Sequence, residues 1–283
     1  MPTTGALPPH PAVHRPSVLV TGGGVRLGAA ITTVFAQAGW RVLCQYRRSG
    51  DAARALCQGL RDQGLEATAL EGDLTTEAGR LALMAEAARL AGPLHCLVNN
   101  ASAFEPDTGA SFDPALAHAQ LEVNLVAPLS LARELAAQNA QAAEDAAPAC
   151  VLHILDQKVL NLNPDYFSYT VSKLALERAV ALQAQALAPR VRVCGVAPGL
   201  MFPSGPQSQA NFERASRVNL LRRPIDPTEV ARTCLFLAST PAITGCTLAV
   251  DNGQHLVPLE RDVMFLAEPC AAPEQPTKGE PQA

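Results

Sequence analysis

Residues 17–31 read SVLVTGGGVRLGAAI, and the fold follows from how that stretch changes character along its length. Ser17 to Val20 is a short, continuous apolar run, the pattern of a strand buried on both faces. Glycines at 22, 23, 24 and 28 then allow a tight turn, and from about Arg26 the apolar residues recur at helical spacing. A strand that passes through glycines into a helix leaves the first helical N–H groups without internal partners. That end of the helix can hold a pyrophosphate.

The same alternation continues outward. Apolar runs recur as RVLC (41–44), ATAL (67–70), HCLV (95–98), CVLHIL (150–155), VRVCGV (191–196) and TLAV (247–250). Alanine-rich segments with helical periodicity lie between them, at 27–38, 51–63, 76–91 and 166–188. Buried strands separated by helices predict one α/β domain, doubly wound and of Rossmann type, with a seven-stranded parallel sheet over about 16–258. No second core and no internal repeat is visible. The proline-rich residues 1–15 read as a disordered leader, and 259–283 as a largely disordered C-terminal tail. Residues 199–223, GLMFPSGPQSQANFERASRVNLLRR, break the rhythm at the carboxyl end of a strand. They are expected to form a substrate lid, with a plain surface loop as the alternative.

Composition narrows the function. The net charge of −4 comes without a basic patch, which argues against a nucleic-acid partner. No apolar run of about 18 residues exists, so no membrane span is expected. The leader lacks the character of a signal peptide, and the eight cysteines show no CxxC pair or regular spacing. They read as buried thiols in a reducing, cytoplasmic setting, and no metal site is expected.

The end of the second strand selects the nucleotide. It runs Cys44-Gln45-Tyr46-Arg47-Arg48-Ser49, and no acid appears until Asp51. An acid there would bond a ribose 2′-hydroxyl; arginine and a serine hydroxyl suit a 2′-phosphate instead. NADPH is therefore the expected cofactor. Arg48 with Ser49 is the preferred pair, since Arg47 has an alternative course into solvent.

Tyr169 and Lys173 stand four apart in a helical segment and so share a face. A free tyrosine titrates near about 10, and bringing it to neutrality takes roughly 4 kcal/mol. A nearby ammonium and a cationic nicotinamide together can supply that. Thirteen residues before Tyr169, at the end of the HILDQK strand, stands Asp156.

These motifs together resemble the short-chain dehydrogenase/reductase family over essentially all of 16–258. The glycine loop matches TGxxxGxG with the middle glycine replaced by Arg26. Asp73-Leu74, Asn99-Asn100-Ala101-Ser102, Asn124, Tyr169-x-x-x-Lys173, Pro198-Gly199 and VDNGQHL fall in register. The resemblance implies a cofactor set of Gly22, Arg26, Leu27, Gly28, Tyr46, Arg47, Arg48, Ser49, Asp73, Leu74, Asn100, Ala101, Ser102, Tyr169, Lys173, Pro198 and Gly199. In it, Asp73 and Leu74 would lie at the adenine and Asn100 to Ser102 along the ribose and nicotinamide. Tyr169, Lys173, Asp156 and Asn124 would be catalytic, Lys173 also holding the nicotinamide ribose and Asn124 steadying a water behind it. A homotetramer is the family expectation.

Asp156 stands where ketone reductases of the family carry a serine. A carboxylate there would repel an oxyanion but would accept hydrogen bonds from a substrate with amino and ring N–H groups. Asp156, Arg26 in the glycine loop and NNASxF after the fourth strand resemble the pteridine reductases and dihydromonapterin reductases. Arg26, Ser102, Phe104, Asp156 and Tyr169 would then bind a pterin-like substrate, with Phe104 stacking on it. The expected reaction is hydride transfer from NADPH to a C=N bond of a dihydropterin, with dihydrofolate a further candidate. Two alternatives stay open: reduction of a carbonyl or quinone with Asp156 neutral or bypassed, and a catalytically silent NADPH-binding regulator. Lys158, Asn161, Asp165 and Tyr166 carry no assignment.

Overall fold

The computed structural model describes residues 15–143, 145–204 and 207–265. The expected disorder of residues 1–14 and 266–283 lies outside the described residues. The strands are β1 (Ser17–Val20), β2 (Arg41–Tyr46), β3 (Ala67–Glu71), β4 (Cys96–Asn99), β5 (Ala149–Ile154), β6 (Val191–Pro198) and β7 (Thr247–Val250). They form one seven-stranded sheet in the order β3-β2-β1-β4-β5-β6-β7, with every pair parallel. This is the doubly wound α/β arrangement.

Period-two alternation sends successive strand residues to opposite faces. On one face Val18, Val20, Val42, Cys44 and Val98 pack against Ile31 and Phe35 of α1 (Arg26–Gln37), Cys57 of α2 (Gly50–Asp62) and Val230 and Cys234 of α8 (Pro227–Ser239). On the other, Leu19, Leu43, Leu97 and Val151 meet Leu83 of α3 (Glu77–Ala91), Leu131 of α5 (Ala127–Gln138) and Val180 of α6 (Phe167–Leu187). Burial on both faces explains why the strands read as unbroken apolar runs rather than as alternating ones. All described cysteines are free thiols, and all but Cys246 are buried.

The helices start where side-chain caps satisfy their first N–H groups. Thr76 accepts from Gly79 N at the start of α3, and Asp226 accepts from Thr228 N at α8. Asp113 does the same for α4 (Pro114–Leu121), with proline at its first position. Between α4 and α5 the chain widens into a π-turn over Glu122–Val126, and this carries Asn124 inward.

Two features position the site. The chain leaves β1 for β2 and β3 on one side and crosses back from β3 to β4 on the other, so a crevice opens at the carboxyl ends of β1 and β4. The second is a correction. Residues 259–265, assigned from sequence to the disordered tail, are packed against the domain. Val263 and Met264 are buried in a short 3-10 turn, and Arg261 Nε reaches both oxygens of Asp165 at 2.9 and 2.8 Å. The partners that hold this segment lie about a hundred residues upstream, so no local pattern announces it. Among the described residues no helix is long and apolar enough to cross a membrane.

Candidate active site

One cleft of about 590 Å3 opens at the carboxyl end of the sheet. It gathers Gly22, Arg26, Leu27, Gly28, Asn100, Ala101, Ser102, Phe104, Asp156, Tyr169, Lys173, Pro198 and Gly199 from the sequence-predicted set. These positions span most of the chain, and the fold alone brings them together.

The nucleotide side is shaped by backbone. Gly22 has φ +60° and donates its N–H to Gln45 Oε1 at 2.8 Å. A Cβ on Gly28 would overlap the Gly22 carbonyl, so the strand-to-helix turn closes only over a bare backbone. The Thr21 hydroxyl receives the N–H groups of Asn100 and Ala101 at 2.9 and 3.0 Å, and the Asn100 amide bonds the Thr21 carbonyl at 2.9 Å. The glycine loop and the end of β4 are thereby locked together. The cradle fits a dinucleotide pyrophosphate: the first N–H groups of α1 face a turn that no side chain fills.

Arg26 stands where the family motif has glycine, and its φ is +51°. The left-handed region explains the glycine preference, and a non-glycine residue there costs about 1–2 kcal/mol. Its guanidinium donates to the Pro203 carbonyl at 3.1 Å and lies 5.1 Å from the Phe202 ring centre, tying the loop to the 199–223 segment. Gly199, Leu200, Met201, Phe202 and Ser204 of that segment border the cleft. Its helix α7 (Gln209–Ala215) packs against the 263–265 turn.

Tyr46, Arg47, Arg48, Ser49, Asp73 and Leu74 lie outside the cleft wall, along the ends of β2 and β3. Arg47 Nε and Asp73 form an ion pair at 3.2 Å. Thr75, through its backbone N–H and then its hydroxyl, holds the Asp73 carboxyl below the usual range. The Tyr46 hydroxyl accepts from Arg54 at 2.8 Å. Arg48 is exposed and makes no hydrogen bond or ion pair among the described residues, and the Ser49 hydroxyl does not cap α2. That pair remains available to an anion. Leu74 is buried in the core.

The other side is built from side chains. Tyr169 Oη donates to Asp156 Oδ2 at 2.9 Å, and the Lys158 N–H donates to Asp156 Oδ1 at 2.9 Å. Lys173 Nζ donates to the Ile154 carbonyl at 2.7 Å and lies 5.7 Å from the Tyr169 ring centre. Phe104 stacks on Tyr166 at 4.0 Å and meets Tyr169 edge-on at 4.6 Å, so one of its faces is already taken. The Tyr166 hydroxyl donates to Met264 Sδ at 2.9 Å. Lys158 Nζ, buried, bonds Asp262 Oδ2 and Asn163 Oδ1, each at 2.7 Å. These contacts place the four residues that sequence left unassigned: Lys158, Asp165 and Tyr166 hold the 261–265 segment over the cleft, and Asn161 bonds the Val257 carbonyl.

Burial, and then the Asp156 charge, push the Tyr169 hydroxyl well above its usual value. Burial likewise raises the Asp156 carboxyl and lowers the Lys173 ammonium to about 8. The Tyr169 hydroxyl thus keeps its proton and donates it in a hydrogen bond to Asp156. The Asn124 amide accepts from Ser102 Oγ and Ala103 N at 3.1 and 2.8 Å, and donates to Ala103 O and Ser172 Oγ at 2.9 and 3.0 Å. It fixes the segment that carries Ser102 and Phe104.

The profile described as enoyl-(acyl carrier protein) reductase matches residues 24–255, more than four-fifths of the chain. The chain belongs to the short-chain dehydrogenase/reductase family. It is an oxidoreductase of that family. An uncharacterised oxidoreductase of Mycobacterium tuberculosis is 32% identical over 83% of this chain and 90% of its own length. The dihydromonapterin reductase of Enterobacter sp. strain 638 is 28% identical over 87% of this chain and 98% of its length. Among solved structures, the FolM alternative dihydrofolate reductase 1 of Brucella suis, in complex with NADP, superposes with a TM-score of 0.81 at 39% identity. That match covers 86% of this chain and 96% of the Brucella chain.

Sequence reasoning missed Gln157, Gln254, Asp262 and Val263, all on the cleft wall. Gln254 Oε1 accepts from Leu200 N at 2.9 Å and anchors the start of the 199–223 segment. Gln157, next to Asp156, and Gln254, inside VDNGQHL, carried a positional hint.

Proposed function

We propose that this protein is an NADPH-dependent reductase that acts on a C=N bond of a dihydropterin-like substrate, a dihydropterin or dihydrofolate. The observation that carries this reading is the hydrogen bond of 2.9 Å from Tyr169 to a carboxylate, Asp156, at the position where a ketone reductase needs a neutral hydroxyl. The relatives named dihydromonapterin reductase and alternative dihydrofolate reductase support the substrate class. The NADP in the Brucella structures supports the cofactor.

When bound, NADPH supplies the hydride. The glycine loop and α1 would seat its pyrophosphate, with Arg48 and Ser49 at the 2′-phosphate. Asp73, Asn100 to Ser102, Pro198, Gly199 and Lys173 would line the remainder. The protein's chemical task is to move a proton to the nitrogen beside the reduced carbon. The Tyr169 hydroxyl holds that proton against Asp156, and burial, then the Asp156 charge, oppose its loss. The Tyr169 hydroxyl would turn from Asp156 to the substrate nitrogen, while Asp156 would orient the amino and ring N–H groups or relay a proton through water. Lys173 supplies positive charge beneath them, and Phe104 offers its free face to a flat ring. The 199–223 segment acts as a lid anchored by Arg26 and Gln254.

We further infer a cytoplasmic homotetramer. Val126, Val171 and Leu182 are exposed apolar side chains around α5 and α6, suited to contact between copies. Light scattering on the purified protein tests it.

The test of function follows absorbance in the reduced-nicotinamide band with 7,8-dihydropterins, dihydrofolate, ketones and a quinone. Fast oxidation with a dihydropterin, reduced about a thousandfold in Y169F, is the expected outcome. Turnover of ketones or quinones alone contradicts the reading, and turnover of nothing returns the protein to a binding role.

A further inference from the structure

Among the described residues, Gln157 is the buried side chain of the cleft wall whose amide oxygen has no hydrogen-bond partner. It follows Asp156 in a 3-10 turn, and its carbonyl accepts from Leu160 N and Asn161 N at 2.9 and 3.1 Å, which fixes where its side chain emerges. The residue is 7% exposed and borders the cleft. Its Oε1 is buried with no partner, and its amide nitrogen makes no hydrogen bond among the described residues. Buried amides are almost always satisfied, because an unmade bond there costs the full desolvation of the group. The neighbouring polar groups are already committed: Asp156 to Tyr169 and Lys158, and Lys158 to Asp262 and Asn163. What remains to meet the amide is the ligand.

We propose that Gln157 is a specificity-determining residue that reads a cyclic-amide edge of the substrate, a ring N–H beside a carbonyl. This rests on the pterin-reductase reading and deepens it. A carboxamide offers one acceptor and two donors side by side, and its ends exchange by a half-turn about one soft torsion. The complement is a heterocycle that also carries donor and acceptor adjacently. Asp156, whose ionised oxygens accept and cannot donate, would take an amino or ring N–H next to it. A quinone or ketone presents acceptors alone, so it leaves Gln157 Oε1 unpaired. The pair Asp156–Gln157 thus favours nitrogen heterocycles over simple carbonyl compounds. Proteins leave such groups unsatisfied at binding sites at the expense of stability, and this sets up a test that separates function from structure.

Replacing Gln157 by Met keeps the length of the side chain and removes the amide. Calorimetric titration of 7,8-dihydrobiopterin into the protein–NADP+ complex should show a Kd weakened about tenfold in Q157M, the size of one lost hydrogen bond. The Kd for NADPH should be unchanged, and the Tm of the unliganded protein equal to or above wild type. A second variant, Q157L, should repeat the pattern. Dihydrobiopterin binding within twofold of wild type in Q157M and Q157L overturns the proposal, as does a Tm that falls together with both affinities. Failure of the wild-type protein itself to bind the dihydropterin sinks the reading on which the proposal rests, and the proposal with it.

Discussion

The two sides of the cleft are made by different means. On the nucleotide side, space and hydrogen-bond donors come from backbone: the positive φ of Gly22, the close approach at Gly28 and the N–H groups at the start of α1. On the substrate side they come from side chains brought together over long separations: Asp156 with Tyr169, Phe104 with Tyr166, and Lys158 with Asp262. A backbone device needs particular residues at fixed local spacing, and it can be read from sequence. A side-chain device needs only that two distant residues meet, and it cannot.

The first prediction strikes the side-chain half. Lys158 and Asp262 are both largely buried, so removing one leaves the other's charge unpaired in the interior. D262A should lower the unfolding free energy by about 3 kcal/mol, and the double variant K158M/D262L should recover most of it. Denaturant titration checks both. Equal losses in the single and double variants would mean that the pair does not act as a unit.

On the backbone half, G28A forces the new methyl against the Gly22 carbonyl. Overpacking of this kind costs about 1–3 kcal/mol, so NADPH affinity should fall by up to about a hundredfold. Dihydropterin binding to the substrate half should move far less. If both affinities fall together, the two halves are not separable.

The pH dependence sharpens the contrast. Lys173 titrates at about 8, below its ordinary 10.5, because burial disfavours the charge; Asp156 pulls the other way. Its ammonium is present below about pH 8 and lost above, so kcat/KM for NADPH should be level on the acid side and fall as pH passes about 8. D156N removes the opposing charge and should move that fall to lower pH. For stability, Lys173 binds its proton more weakly folded than unfolded. Its contribution therefore rises with pH from about 8 to 10.5.

The smallest effect belongs to Arg26. R26G relieves the left-handed strain and should stabilise the fold by about 1 kcal/mol. It also releases the Pro203 carbonyl and Phe202, so KM for the substrate should rise a few-fold.

This division explains what was legible. The seven strands, the helices at 26–37, 50–62, 77–91 and 167–187 and the glycine cradle could all be read from period and spacing. Helices α4, α5 and α8 were not named, although α5 buries Leu131 and Leu135 and α8 buries Val230, Cys234 and Leu237 at helical spacing. The Tyr169–Lys173 spacing was plain, but the upward push on the Tyr169 hydroxyl depends on its burial and on Asp156 lying against it, which no spacing encodes. The 261–265 segment was hidden for the same reason, its anchors Asp165, Tyr166 and Lys158 being far upstream.

The central claim is that Asp156 makes this site a reductase of nitrogen heterocycles. The most direct measurement compares kcat/KM for a 7,8-dihydropterin and for a ketone in wild type and D156S, with NADPH saturating. The account predicts that the dihydropterin value falls about a hundredfold or more while ketone reduction rises or appears for the first time. A D156S variant that keeps its dihydropterin activity would contradict it.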